Sequence, residues 1–476
     1  MKQTVRIIET SLRDGQQSLW ATRMTTAMML PVLPLLDALG FEAIEYTSAA
    51  AMEVCIRHLK ENPWERMRLV RQQVKQTPLG MICAPVFSVS SKGLLPDDLL
   101  ELYLKTCARN GIHSFFLLDG LNDMRNLEVP IRAVKEAGGR ALPSITYSIS
   151  PVHTDEHFAS KVADLKRFGA DAIVLKDPSG ILTPERVRTL VPALRRAGEG
   201  MPVYCHSHCS TGLGPANNLE AVTSGATGIW TVAEPLANGS SLPNTESMVR
   251  HLRRMGHSVE FDDHKLRQVA EHFHRVAVRH GKPLGRPAEY DPVCYIHQMP
   301  GGMVSNFLAQ LAQLGIQDRF EQVLEEIPAV RSDLGWAIMV TPFSQIIATQ
   351  AAMNVLYGRY KVILGEVKML LLGWYGETPS PVDANLVDRV SDGAERINAR
   401  PGAVTPPALD RIRASHGDFR SDEELLLNAF FMPEALKAMY DSGPIRLDDL
   451  TAEHSLVGLV REVAKNKGIT RFRWIN

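Results

Sequence analysis

The chain has 476 residues, 45% of them hydrophobic, and its 52 basic and 53 acidic side chains leave a formal net charge of −1. That length gives room for more than one domain and a large core. The charge balance provides no overall field for nucleic acid or an anionic membrane, and no run of 18 or more apolar residues offers a membrane span. Six sparse cysteines and an N-terminus, "MKQTVRIIETSL", without a signal-peptide pattern point to reduced thiols and a cytoplasmic location.

In chain order, short apolar runs predict strands at 5–9, 43–47, 79–83, 114–118, 142–147, 172–175, 203–206 and 228–232. Helical stretches are expected between them, at 52–75, 96–110, 127–137, 154–168 and 184–197; Thr183 reads as an N-cap and Pro184 as the first helical residue of the last. Eight strand–helix units within about 250 residues have the count and size of a (β/α)₈ TIM barrel. A doubly wound open sheet is the alternative, weakened because no G-x-G-x-x-G opens a helix after a strand. After about residue 285 the pattern changes to helices near 320–326, 344–356, 421–430 and 433–440, separated by Pro-rich turns. The expected organisation is a barrel over 1–285 and a mostly helical C-terminal domain over 286–476 that contributes to the barrel mouth.

Three separated segments then stand out: Arg13-Asp14 in "ETSLRDGQQS", Lys176 in "VLKDPSG", and His206 and His208 in "VYCHSHC". Each falls where an apolar run ends, so a barrel would gather them at the C-terminal ends of its strands, where barrel active sites lie. Residues two apart on a strand share a face, and His206 and His208 therefore aim at one point. Two imidazoles and a carboxylate suit zinc, or alternatively manganese or cobalt. Cys205 and Cys209 alternate onto the opposite face. A protonated Lys176 cannot ligate; it reads as an ion-pair partner of Asp177, a Schiff-base amine, or a lysine carbamylated by CO₂.

These segments resemble the biotin-dependent carboxyltransferases that act on 2-oxo acids: the carboxyltransferase domain of pyruvate carboxylase, the oxaloacetate decarboxylase alpha subunit and the transcarboxylase 5S subunit. "ETSLRDGQQSLWATRM", "VLKDPSGILTP" and "CHSHCSTGLG" resemble the barrel signatures, and "YIHQMPGGMVSNFLAQL", "VRSDLGWAIMVTPFSQ" and "PVDANLVDRV" resemble successive stretches of the family's C-terminal domain. The resemblance implies Asp14, His206, His208 and a carbamylated Lys176 as metal ligands. It implies Arg13 and Gln17 as residues that hold substrate or biotin, Arg57 in "MEVCIRHL" as a substrate-carboxylate binder, and Ser305 in "PGGMVSN" as the hydroxyl that moves a proton between biotin and substrate. It also implies CO₂ transfer between carboxybiotin and a small acid, and a homo-oligomer, a dimer. "VKMLLLG" at 367–373 lies in a helical stretch and is no biotin-attachment hairpin, and no ATP-grasp module precedes the barrel, so a separate biotin carrier protein and a biotin carboxylase are the expected partners.

Two departures bear on substrate. After strand two the family's Trp-Gly-Gly is replaced by Thr47-Ser48-Ala49-Ala50, and after strand three its Arg-Gly-x-Asn is replaced by Ala84-Pro85-Val86-Phe87. Loss of that arginine leaves a second carboxylate poorly held. A pocket wall of Ala49, Ala50, Ala84 and Phe87 would favour an acid with an apolar extension, with Lys92 the nearest replacement cation. The competing readings are a metal-dependent aldol-type lyase or synthase acting on an acyl-CoA, which shares "LRDG" and the HxH but not the lysine or the C-terminal domain, and a non-catalytic scaffold in a biotin complex.

Overall fold

The computed structural model describes residues 2–86, 94–313, 315–393, 395–416 and 419–447, apart from the side chains at 305, 306, 309 and 416. Eight parallel strands close into a barrel in sequential order: β1 (Arg6–Glu9), β2 (Ala43–Ser48), β3 (Leu79–Cys83), β4 (Ile112–Leu118), β5 (Arg140–Thr146), β6 (Ile173–Asp177), β7 (Val203–Ser207) and β8 (Gly228–Thr231), which pairs back to β1. The strands are buried on both faces, and the residue type alternates with the face. Ile8, Ala43, Phe116, Leu142, Val174, Tyr204 and Trp230 fill the lumen, with Phe116 and Trp230 edge to face at 5.0 Å. Their neighbours Ile7, Ile44, Phe115, Ile173 and Val203 face the surrounding helices. Truncating one of the lumen aromatics to Ala costs about 3–5 kcal/mol, since a filled barrel has little means of collapsing onto the gap.

The main outer helices are α1 (Pro63–Gln73), α2 (Asp97–Arg109), α3 (Glu128–Glu136), α4 (Asp155–Arg167), α5 (Pro184–Ala197), α6 (Gly214–Thr223), α7 (Thr245–Arg254) and α8 (Asp263–Arg279). The helix expected over 52–75 is two. Lys60 turns left-handed at φ 57°, and α1 begins afresh at Pro63, with the Asn62 side chain accepting from the Trp64 N–H. Proline lacks the N–H that a continuous helix needs there. Thr183 caps α5 and Pro184 opens it, as the sequence predicts.

The C-terminal region contributes α9 (Gly301–Gln313), α10 (Phe320–Asp333), α11 (Phe343–Tyr357), α12 (Gly365–Leu371), α13 (Ala384–Ser391), α14 (Leu409–His416), α15 (Asp422–Phe430) and α16 (Pro433–Asp441). Helix α10 runs on past residue 326 through Pro328. Residues between Met299 and Leu386 build a core of their own. Helices α15 and α16 instead return to the barrel's outer layer. Phe430 meets Tyr103 of α2 edge to face at 5.6 Å, and Arg68 and Arg109 pair with Glu423 and Asp422 at 2.8 and 2.6 Å.

Several contacts seat this region on the mouth side of β3 to β6. Ile338 and Val340, in the stretch joining α10 to α11, pack on Leu118 and on Ile82 of β3. Gln298 accepts from the Ile149 N–H at 3.0 Å, and its carbonyl accepts from the Ser179 hydroxyl. Buried Arg331 donates to Ser148 Oγ at 2.8 Å.

Candidate metal centre

Each member of the centre arrives on its own element. Just after β1 the chain makes a single π-helical turn, Ser11–Gly15, closed by the Asp14 N–H donating to Thr10 Oγ1. This turn brings Asp14 over the lumen. Lys176 and His206 are register partners on β6 and β7, and His208 follows β7 by one residue. The expected end of strand six at 175 is too early, because Lys176 and Asp177 continue the ladder with His206 and Ser207. Beyond the strands, Gly180 lets the loop after β6 lie against the loop after β7. Its φ is +68°, and a Cβ there would come within 2.8 Å of the Ser210 amide and 3.0 Å of the His208 carbonyl.

Asp14 Oδ2, His206 Nε2 and His208 Nε2 converge. The carboxylate oxygen is 3.1 Å from His206 Nε2 and 3.4 Å from His208 Nε2, and the two imidazole nitrogens are 3.3 Å apart. Ligand atoms bound tetrahedrally to zinc at about 2.0–2.1 Å sit about 3.4 Å from one another, so the three donors already have the spacing of a metal's coordination shell. All three side chains are buried. Among the described residues this is the one group of three or more His, Cys, Asp or Glu side chains so placed, and neither Cys205 nor Cys209 belongs to it.

The surroundings fix the donors' direction and charge. His208 Nδ1 donates to the Ser240 carbonyl at 2.8 Å, which leaves Nε2 as the ligand atom, and Ser18 Oγ donates to Asp14 Oδ1 at 2.9 Å. Burial works to raise the Asp14 carboxyl, yet Arg13 and the two imidazoles overcome it and hold the group well below the usual carboxylate range. Burial, and then Lys176, pushes the His206 imidazole well down, so it is neutral and able to ligate. Burial, and then Arg13, brings the Lys176 amine down to about 8, and its Nζ sits 3.0 Å from His206 Nε2.

Arg13 is buried beside the centre. Its Nε bonds Glu45 Oε1 at 2.6 Å and its Nη1 pairs with Asp14 at 2.7 Å, while Nη2 is buried without a partner. Glu45 is the residue the motifs missed. From inside β2 it also accepts from Thr10 Oγ1 at 3.0 Å and from Trp230 Nε1 at 2.8 Å. The signal was present: a carboxylate between Ala43 and Thr47, on the inward face of a strand buried along its whole length.

The other candidates fall differently. Gln17 is exposed on the short helix Gln16–Trp20 that follows the Asp14 turn. Arg57 is not gathered into the centre; it is exposed after β2 and pairs with Glu53 at 3.0 Å. The Ser305 side chain lies outside the described residues, but its helix α9 starts against the centre, with Gly301 packed on Ser240 and Ser210 and Gly302 beside Ser18. Ala49 is half-buried and Ala50 exposed in the first turn of the helix Ala49–Val54, Ala84 is half-buried after β3, and Phe87 and Lys92 lie outside the described residues.

A closed parallel barrel with two imidazoles, a carboxylate and a lysine at its C-terminal mouth defines a metal-dependent barrel enzyme. Comparison with known proteins narrows the class. A family described as "Conserved carboxylase domain" matches residues 294–447, and one described as "HMGL-like" matches residues 124–272. A pyruvate carboxylase subunit from Methanocaldococcus jannaschii is 37% identical over 96% of this chain and 81% of its own length. The 2-oxoglutarate carboxylase large subunit of Hydrogenobacter thermophilus is 36% identical over 91% of this chain and 68% of its own. The carboxyltransferase domain of Rhizobium etli pyruvate carboxylase, solved with pyruvate and biocytin, superposes with a TM-score of 0.85 at 25% identity over 93% of this chain and 78% of that one. The chain belongs to the biotin-dependent carboxyltransferase family, and it is an enzyme of carboxyl transfer. The match over 294–447 falls in the region that acyl-CoA lyases were expected to lack.

Proposed function

We propose that this enzyme moves a carboxyl group between carboxybiotin, carried on a separate protein, and a 2-oxo acid or related small acid. Zinc is the ion proposed for Asp14, His206 and His208, with Lys176, as its carbamate, completing the set. The ion's part is Lewis acidity toward the acceptor's carbonyl oxygen. Arg13 Nη2, the one buried donor of that guanidinium left without a partner, takes an oxygen of the acceptor. Gln17 stands at the rim for biotin, and the Ser305 hydroxyl carries the proton between the biotin ring and the acceptor carbon. The partners are a biotin carrier and a biotin carboxylase in the cytoplasm, and the chain works as a dimer. Residues 286–476 form the unit that completes the mouth.

The observation that carries this reading is the set of three donor atoms 3.1–3.4 Å apart at the mouth that the carboxylase-type region covers. The test is metal analysis of the purified chain, followed by transfer assays with a carboxybiotinylated carrier and a panel of 2-oxo acids and acyl-CoAs. About one zinc per chain and oxo-acid-dependent loss of carboxybiotin, both abolished by a chelator, are expected. Turnover of an acyl-CoA without biotin would overturn it in favour of a lyase.

A further inference from the structure

Beside Lys176 stands a hydroxyl with nothing to bond. Thr146, the last residue of β5, is fully buried, and its Oγ1 has no hydrogen-bond partner. A buried hydroxyl without a partner is costly, and one beside a reaction centre points to an occupant that would satisfy it. Thr146 is also the register partner of Lys176, so the two side chains leave the sheet on the same side, toward the mouth. Adjacent strands are about 4.8 Å apart, so the hydroxyl and the lysine side chain enter the mouth as neighbours.

The backbone at this point is held from three directions. Asn122, in the loop after β4, accepts from the Thr146 N–H and donates to the Thr146 carbonyl, both at 2.9 Å, and the following Tyr147 N–H donates to the Lys176 carbonyl at 2.7 Å. The hydroxyl is therefore mounted rigidly. The Lys176 amine for its part has no carboxylate within ion-pair distance among the described residues, and among them its hydrogen-bond contact is His206 Nε2.

We infer that Thr146 is the positioning residue for a carbamate on Lys176: its O–H donates to the carbamate oxygen that does not face the Asp14, His206 and His208 donors. This rests on the carbamate proposed above. The modification forms one C–N bond between the neutral Nζ amine and CO₂, and the amine's proton leaves to solvent. The product is an anion with two oxygens, one for the metal side and one for Thr146. A donor to the charged form favours that form. Ser144, two residues back on the same face, also carries a buried unpartnered hydroxyl, but its register partner is Val174 and no amine stands beside it.

The test uses the full chain, stripped of metal, supplied with ¹³C-bicarbonate and zinc, and read by ¹³C NMR for a carbamate carbon and by zinc titration across a CO₂ series. Wild type and Thr146→Ser are expected to take up one label per chain at similar CO₂. Thr146→Val, which keeps the shape and loses the donor, is expected to need at least about tenfold more CO₂ for half-labelling and to bind zinc correspondingly less tightly. If the Val variant fails to fold by circular dichroism, Thr146→Ala takes its place. Equal labelling of wild type and a folded variant without the hydroxyl overturns the inference while the carbamate stands, and a changed KM with unchanged labelling would assign the hydroxyl to substrate instead. Absence of label from wild type overturns the carbamate itself, and the role of Thr146 with it.

Discussion

Two buried carboxylates on the inner strands behave oppositely, and each carries a prediction. Glu45 bonds three donors and orients Arg13, so Glu45→Gln should keep the fold while loosening the guanidinium that faces the acceptor. The loss of its charge-assisted bonds is expected to lower kcat/KM by about ten- to hundredfold with zinc content unchanged, checked by steady-state kinetics and metal analysis. Glu45→Ala leaves a buried cation short of its partner and should also destabilise the fold, by about 3–5 kcal/mol. Glu9 instead accepts one bond, from the Ser11 N–H, and its Oε2 has none. Burial pushes its carboxyl from 4.5 up to about 7. A carboxyl raised in this way contributes stability below about pH 4.5 and loses it as pH climbs through 7. Glu9→Gln, neutral throughout, should therefore gain on wild type between pH 4.5 and pH 8, by up to roughly 3 kcal/mol. Urea unfolding at the two pH values checks this; a stability difference that stays flat with pH would assign Glu9 another partner.

At the scale of elements, strand ends matter more than strand interiors. Gly180 stands between the lysine strand and the histidine strand, left-handed and within contact distance of His208's own carbonyl. Gly180→Ala incurs both a left-handed Cβ and a backbone collision, together about 2 kcal/mol or more. Because the collision is with the loop holding His208, the variant should bind zinc at least about tenfold more weakly, as isothermal titration would register. The strands themselves were legible: short apolar runs located all eight, and the ladder only moved their ends by one or two residues, as when β6 carries on through Lys176. The break at Lys60 was not, although Asn62 and Pro63 were in view as a cap and first residue, because Met52–Gln73 keeps a helical apolar pattern across the break. The HxH on one strand face was legible from period alone. Asp14 was legible only as a residue at a strand end, since nothing in "SLRDG" announces a π-helical turn.

Over the whole molecule, the sequence reading named the barrel mouth as the place of the C-terminal region but not the contacts that seat it there, since packing between segments hundreds of residues apart leaves no local period. That seating decides the substrate prediction. Of the apolar wall expected from Ala49, Ala50, Ala84 and Phe87, the last lies outside the described residues; at the ends of β3 and β4 the covering region instead packs Ile338 and Val340 on Ile82 and Leu118. Arg57, expected to hold a carboxylate, is exposed and pairs with Glu53, and the stretch 83–87 at the end of β3 carries no arginine. The charged donor beside the centre is then Arg13, and the ends of β3 and β4 carry the apolar side chains of Ile82 and Leu118. A monocarboxylic 2-oxo acid is therefore predicted to bind with its polar end toward the metal side and an aliphatic chain toward Leu118 and Ile338. Each methylene buried there is worth about 0.8 kcal/mol, so kcat/KM should rise about fourfold per added carbon from pyruvate until the wall is reached. 2-Oxoglutarate should be a poor acceptor, because its second carboxylate would be desolvated against apolar side chains without a partner. Ala84→Arg should reverse that order by returning a cation to the end of β3. Steady-state kinetics on the chain-length series decides it: a highest kcat/KM for pyruvate or oxaloacetate in wild type would mean that another side chain supplies the missing charge.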